Sequence, residues 1–191
     1  MLGSMRWDRL FDDIEAQLAM QEQTELTAEA AEHARDAQAR VALAQRLVAA
    51  GTTSLTLSIQ GSGTVEGVLS DVGYDWCVLR TDVTGPQRRQ DVLVRLPAVL
   101  AVTGLPIRAD QREGAGQRRF SLGSALRALS RDRAVLRLTD VQGGHLTGTI
   151  DRVGMDHLDL AGHADDVPRR AGAVRAWHTV PLWALGTVRQ I

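Results

Sequence analysis

From residue 5 to residue 50 the apolar positions recur at helical spacing, and the stretch contains neither Pro nor Gly, a pattern that predicts helix. Trp7, Leu10, Phe11, Ile14 and Leu18 make one apolar stripe, and Leu26, Ala28, Ala30, Ala31 and Ala34 continue it as a thin alanine seam. Val41, Leu43, Leu47 and Val48 form a second stripe, which Gly51 should terminate. A helix this long with so weak a middle needs something to pack on. The Trp7–Leu18 stripe therefore either folds back on the body or pairs with a second copy as a short coiled coil, although apolar heptad positions lapse between Leu18 and Val41.

Beyond Gly51 the period changes to two. Leu55, Leu57 and Ile59 alternate with polar residues, Gly61-Ser62-Gly63 turns the chain, and Val65, Val68, Leu69 and Val72 continue in a second strand. Trp76 to Leu79 reads as a third strand, the polar loop from Thr81 to Gln90 leads to a fourth at Val92 to Val94, and a tight turn at Leu96 to Ala98 leads to a fifth at Leu100 to Val102. Five short strands joined mostly by tight turns predict a small barrel.

The same pattern occurs twice. GTVEGVLSDVGYDWCVL at 63–79 matches GHLTGTIDRVGMDHLDL at 144–160 with a constant offset of 81. VRLPAVLAV at 94–102 matches VPLWALGTV at 180–188 with an offset of 86, so the second copy has a loop five residues longer. Each copy follows a predicted helix, 40–50 for the first and Ser121–Arg131 for the second, and a tandem duplication accounts for both. Gly63 and Gly144 suit hairpin turns that need positive φ. Gly67 and Gly148 fall within strands, where glycine permits a sharp bend. Gly73-x-Asp75 and Gly154-x-Asp156 make the next tight turn.

A helix, the strand-and-glycine pattern just described, a variable loop and a closing V-x-L-x-A-h-x-x-V (h, apolar) resemble the Sm-like fold of the Sm and LSm proteins and the bacterial RNA chaperone Hfq. The opening RWDRLFDDIEAQL followed by two such repeats also resembles an uncharacterised actinobacterial protein family. The resemblance implies an α+β, mostly β fold: two tandem five-stranded Sm-like small barrels, each with an N-terminal helix, preceded by a long N-terminal helix. The expected divisions are an acidic helical arm at 5–39, barrel repeat 1 at 40–103, a Gly/Arg-rich linker at 104–120 and barrel repeat 2 at 121–191. It also implies an RNA-binding ring built by strand pairing between barrels. The family's RNA-binding residues do not carry over: its Asn falls on Trp76-Cys77 and His157-Leu158, and Hfq's basic-His pair falls on Leu96-Pro97 and Leu182-Trp183.

Charge adds an asymmetry that the near-neutral total conceals. The chain has 191 residues, and its 22 basic residues, all Arg, face 23 acids for a formal charge of −1. Lys and Asn are absent, as in proteins from GC-rich bacterial genomes. Residues 5–50 hold five Arg and nine acids, whereas residues 105–140 hold eight Arg and four acids. Arg118, Arg119, Arg127, Arg131, Arg133 and Arg137 make the basic face expected if nucleic acid is bound, but aromatics are only 4% of the chain, so base stacking has little support.

No catalytic residues and no metal or other cofactor are expected. The histidines of the second copy lack a metal-ligand spacing, and no nucleophile–base arrangement or phosphate loop stands out. The single Cys77 excludes an internal disulfide and fits a reducing cytoplasm. Gly3-Ser4 reads as a cloning remnant, placing the expected native start at Met5, with no leader segment and no membrane association. The function that best fits is a non-catalytic adaptor that binds protein partners or itself, as a dimer or small oligomer, through Trp7, Leu10, Phe11, Ile14, Leu18 and Trp183; an RNA- or DNA-binding regulator using residues 118–137 is the alternative. No small-molecule substrate is expected.

Overall fold

The computed structural model describes residues 42–82, 89–106, 120–163 and 174–191, together with Met20 and Gln23. The chain divides into residues 1–41 and residues 42–191. Of the first unit only Met20 and Gln23 are described, both helical and exposed, so the remainder of the expected arm lies outside the described residues.

In the second unit helix α1 (Leu43–Val48) precedes β1 (Ser54–Ile59), β2 (Gly63–Val72), β3 (Trp76–Asp82), β4 (Arg89–Arg95) and β5 (Val99–Thr103). Helix α2 (Leu122–Asp132) precedes β6 (Leu136–Asp140), β7 (His145–Val153), β8 (His157–Gly162), β9 (Ala176–Pro181) and β10 (Leu185–Gln190). A single 3-10 turn, Leu96–Ala98 or Leu182–Ala184, links the last two strands of each half. The alternation expected around Leu55, Leu57 and Ile59 is observed, with all three buried.

The expected pair of five-stranded barrels, each with its own N-terminal helix behind a long helical arm, is not what forms. The ten strands make one antiparallel sheet in the order β5-β1-β2-β3-β4-β10-β6-β7-β8-β9, and helix is a minor part of the described structure. The sheet is continuous because β4 of the first half pairs with β10 of the second, Val94 opposite Thr187, Leu93 opposite Val188 and Val92 opposite Arg189. Unpaired backbone amides and carbonyls along a strand edge favour such pairing, and here the duplicated half supplies the partner. The duplication is still visible in the topology: the order β5-β1-β2-β3-β4 recurs as β10-β6-β7-β8-β9, with matching register shifts at Leu69/Asp71 and Ile150/Arg152.

Two apolar clusters hold the sheet. Leu47, Leu55, Leu57, Ile59, Cys77 and Leu79 belong to one, and Leu122, Leu126, Leu138, Ile150, Leu158 and Leu160 to the other. The clusters exchange residues across the duplication: Trp76 and Leu93 pack in the second, and Val141 packs against the first. Trp76 is thus buried in the second cluster, whereas Tyr74, two residues earlier, is exposed. Gly63 has the expected positive φ of 70°, whereas in the second half Gly143 (φ 92°) takes that role rather than Gly144.

The turn after β6 is organised by Asp140, whose Oδ1 accepts the backbone N–H of Gln142 at 2.7 Å and of Gly144 at 2.9 Å. These hydrogen bonds, Gly144's first, hold its carboxyl below the usual range. A carboxylate depressed in the folded state stabilises the protein above its unfolded pKa of about 4 and loses that contribution as pH falls through the folded value. Asp140→Ala is therefore expected to lower the calorimetric melting temperature at pH 7, with the gap from the parent narrowing steadily below about pH 4. An equal gap at pH 7 and in acid would show that the carboxylate does not organise this turn.

Candidate functional site

The junction between the halves has a specific polar geometry besides the strand pairing. Gly73 lies between β2 and β3, where the Trp76 indole covers it so closely that a Cβ would overlap Trp76 Nε1. From this turn Trp76 Nε1 and the backbone N–H of Tyr74 both donate to the carbonyl of Phe120, each at 3.0 Å. Asp75 Oδ1 accepts the N–H of Leu122 at 2.7 Å. Leu122 is the first residue of α2, where a helix leaves amides without intrahelical acceptors, so Asp75 supplies across the duplication what a capping side chain supplies locally. Ser121, at the N-cap, makes no capping bond of its own.

The second half repeats the turn, and among the described residues no helix lies on it. Gly154 N–H donates to His157 O at 2.8 Å and Leu182 N–H to Asp156 O at 2.7 Å, as Gly73 does to Trp76 O and Leu96 to Asp75 O. The His157 ring lies over Gly154 as the indole lies over Gly73. Asp156 is 80% exposed and holds His157 Nδ1 at 2.8 Å, a hydrogen bond that lowers its pKa. Met155, in the place of Tyr74, is 93% exposed.

Strands β5 and β9 end the sheet, so among the described residues each has one edge without a partner strand. Each end carries exposed apolar side chains: Trp177 on β9 at 60% and Trp183 in the turn that follows it at 67%, and at the opposite end Leu100 on β5 at 69%. Strand edges in monomeric proteins are commonly blunted by charge or Pro, and wide exposed apolar patches mark interaction sites. Among the described residues of β5 and β9, only Pro181, at the end of β9, serves that purpose.

Of the expected partner-binding residues, Trp183 lies at the exposed end of the sheet, and Trp7, Leu10, Phe11, Ile14 and Leu18 lie outside the described residues. Of the basic face, Arg118 and Arg119 lie outside the described residues. Arg127 and Arg131, one turn apart on α2, line a single groove with Trp76, Phe120, Ser124 and Ala128. Arg133 caps the end of α2 in a left-handed conformation, and Arg137 lies on β6; neither lines that groove. A second groove of about 290 Å³ on the other flank of α2 carries Asp71, Asp91 and Asp132 around Val78, Leu93 and Leu129. The two flanks of α2 thus carry opposite charge.

His163 and Thr149 are buried and bonded to each other at 2.9 Å. Cys77 is buried, its thiol pushed up to about 12 by desolvation, which leaves it unreactive as a thiolate. Among the described residues no group of His, Cys, Asp or Glu is placed to hold a metal ion, and no helix is long and apolar enough to cross a membrane. Asp75, Asp156, Met155 and Leu100 were not singled out as interaction residues by the sequence; the recurrence of Gly-x-Asp was the signal, but it reads equally as turn chemistry.

The site defines a class of structure, an internally duplicated antiparallel sheet whose end strands lack a second partner strand among the described residues, rather than a family. Comparison with protein-family models, with curated proteins and with solved structures gives no match.

Proposed function

We propose that the protein is a non-catalytic binding module, working in the cytoplasm, whose β9 end engages a protein strand, from a partner or from a further copy of itself. The observation that supports this most directly is that β9, an end strand of the sheet among the described residues, carries exposed Trp177 near its start and is followed by exposed Trp183. An edge offers backbone hydrogen bonds for affinity, and flanking aromatics add buried area and selectivity. The stripe Trp7, Leu10, Phe11, Ile14 and Leu18 is a second apolar surface that the same reading assigns to partners. No small molecule or membrane is required.

A second reading, binding of RNA or DNA, draws on the groove that joins Arg127 and Arg131 to Trp76 and Phe120. The flanking Asp71, Asp91 and Asp132 weigh against it, because they repel a phosphate backbone that crosses α2. The readings separate in one experiment: absolute mass by light scattering, with the 260/280 nm absorbance ratio before and after a high-salt wash. The binding-module reading expects association that survives salt, an absorbance ratio of protein alone, and loss of association in Trp177→Ser/Trp183→Ser. Salt-releasable nucleic acid that disappears in Arg127→Gln/Arg131→Gln would overturn it in favour of the second reading.

A further inference from the structure

We infer that the groove along α2 joining Arg127 and Arg131 to Phe120 docks an acidic amphipathic helix of a partner protein. One apolar side chain of that helix fills the groove, and two of its carboxylates pair with the arginines. This goes beyond the binding-module reading, because the groove shares no residue with the β9 edge.

The junction between the halves frames the groove. Trp76 Nε1 and the N–H of Tyr74 both donate to the Phe120 carbonyl, and Asp75 receives the amide of Leu122. The turn Gly73–Trp76, Phe120 and the start of α2 are thereby fixed to one another, so a partner finds the surface already ordered. Three of the chain's seven aromatic residues (four Trp, two Phe and one Tyr in all) meet at this turn. Trp76, 7% exposed, supplies floor, whereas Phe120 stands out at 59%. Ser124, Ala125 and Ala128 are small, and between them and the arginines they leave a groove of about 470 Å³, a size that takes a ligand or a side-chain anchor. Aromatics beside Arg are the composition in which protein interfaces concentrate their binding energy.

Charge selects the partner. Arg127 and Arg131 are exposed, and no described carboxylate pairs with either. Residues four apart on a helix are separated by about 6 Å, so two carboxylates at the same spacing on a partner helix can meet both guanidiniums in charge-assisted hydrogen bonds. A nucleic acid fits less well. Of Arg127, Arg131, Arg133 and Arg137 only the first two line the groove, and affinity for a polyanion grows with the number of phosphates neutralised. Trp76 is too buried to stack a base, and Asp71, Asp91 and Asp132 stand on the other flank of the same helix. Nor do the arginines follow from the duplication. With Leu43 set on Leu122, Val48 and Thr52 stand in the places of Arg127 and Arg131. The basic groove therefore belongs to the second half alone and is no requirement of the repeated fold.

Fluorescence anisotropy of the full chain with fluorescein-labelled helical peptides tests this docking. The probes carry two Glu four residues apart beside a single Leu, Phe or Trp on an alanine background, and matched probes carry Gln for both Glu. An acidic probe is expected to bind, and its Gln counterpart to bind about tenfold more weakly or worse. Arg127→Gln/Arg131→Gln should weaken the acidic probe by a similar factor, the effect of removing two charge-assisted bonds. Phe120→Ser should weaken it about tenfold, as loss of an interface anchor does. All three side chains are exposed, so these variants keep the fold, which matching near-ultraviolet circular dichroism verifies. No binding of any acidic probe, or equal binding of acidic and Gln probes, would overturn the proposal. Dependence on the arginines without dependence on Phe120 would overturn it as well, since a bare charge patch rather than the groove would then hold the peptide. A single-stranded RNA that binds more tightly than every probe, and is lost in the arginine variant, would overturn it in favour of the nucleic-acid reading.

Discussion

Trp76→Ala is expected to lower the unfolding free energy by about 3–5 kcal/mol, the cost of truncating a large buried aromatic. Trp76 is 7% exposed and belongs to the cluster of the half that follows it, packed with Leu93, Leu122 and Leu126. Its loss opens a cavity at the junction and also removes the Nε1 donor to the Phe120 carbonyl, 3.0 Å away. Damage should concentrate at the junction, so the amides of α2 should lose hydrogen-exchange protection more than those of β1 and β2. Tyr74→Ala, two residues earlier and 75% exposed, serves as the control and should cost less than about 0.5 kcal/mol. Equal losses in the two variants by urea denaturation would show that Trp76 is not the pin between the halves.

Gly148→Ala is expected to cost about 3 kcal/mol, the upper end of the range for overpacking. A Cβ at this position on β7 would overlap the carbonyl oxygen of Ala161 on β8, and backbone atoms in a paired strand cannot withdraw without breaking the ladder. Gly67 in the first half faces the same obstacle, since a Cβ there would lie 2.5 Å from the Arg80 carbonyl oxygen. Gly51→Ala isolates the contribution of backbone conformation, because Gly51 has φ +56° but open space around its Cβ, and should cost about 1 kcal/mol. Urea midpoints of the two variants check the order. A Gly51 variant less stable than the Gly148 variant would show that steric approach is not what selects glycine in β7.

These two predictions also mark how much could be read from residues alone. The duplication, its offsets of 81 and 86, the strand positions and the two preceding helices are all legible in the periodicity of the chain. The glycines at 67 and 148 were legible as special positions, but for a different reason: a close approach of the paired strand, rather than a bend for closing a barrel, excludes a side chain there. Arg127 and Arg131 were legible as neighbours because a helical turn brings together residues four apart. That Arg133 and Arg137 leave their groove depends on where α2 ends and β6 begins.

The part of the candidate site that the sequence left hidden has one physical cause. Strand pairing uses backbone groups that every residue carries, so nothing in the side chains of β4 states whether its edge turns to β5 of its own half or to β10 of the other. The choice depends on which edge lies within hydrogen-bond reach once both halves are packed, and on whether Trp76, Asp75 and the start of α2 meet across them. By itself the sequence determined the repeated units and their internal order, because side-chain alternation and turn residues are local. The tertiary structure alone decided that the units fuse into one ten-stranded sheet that ends at β5 and β9 among the described residues, because edge-to-edge hydrogen bonding is a long-range contact without a local signature.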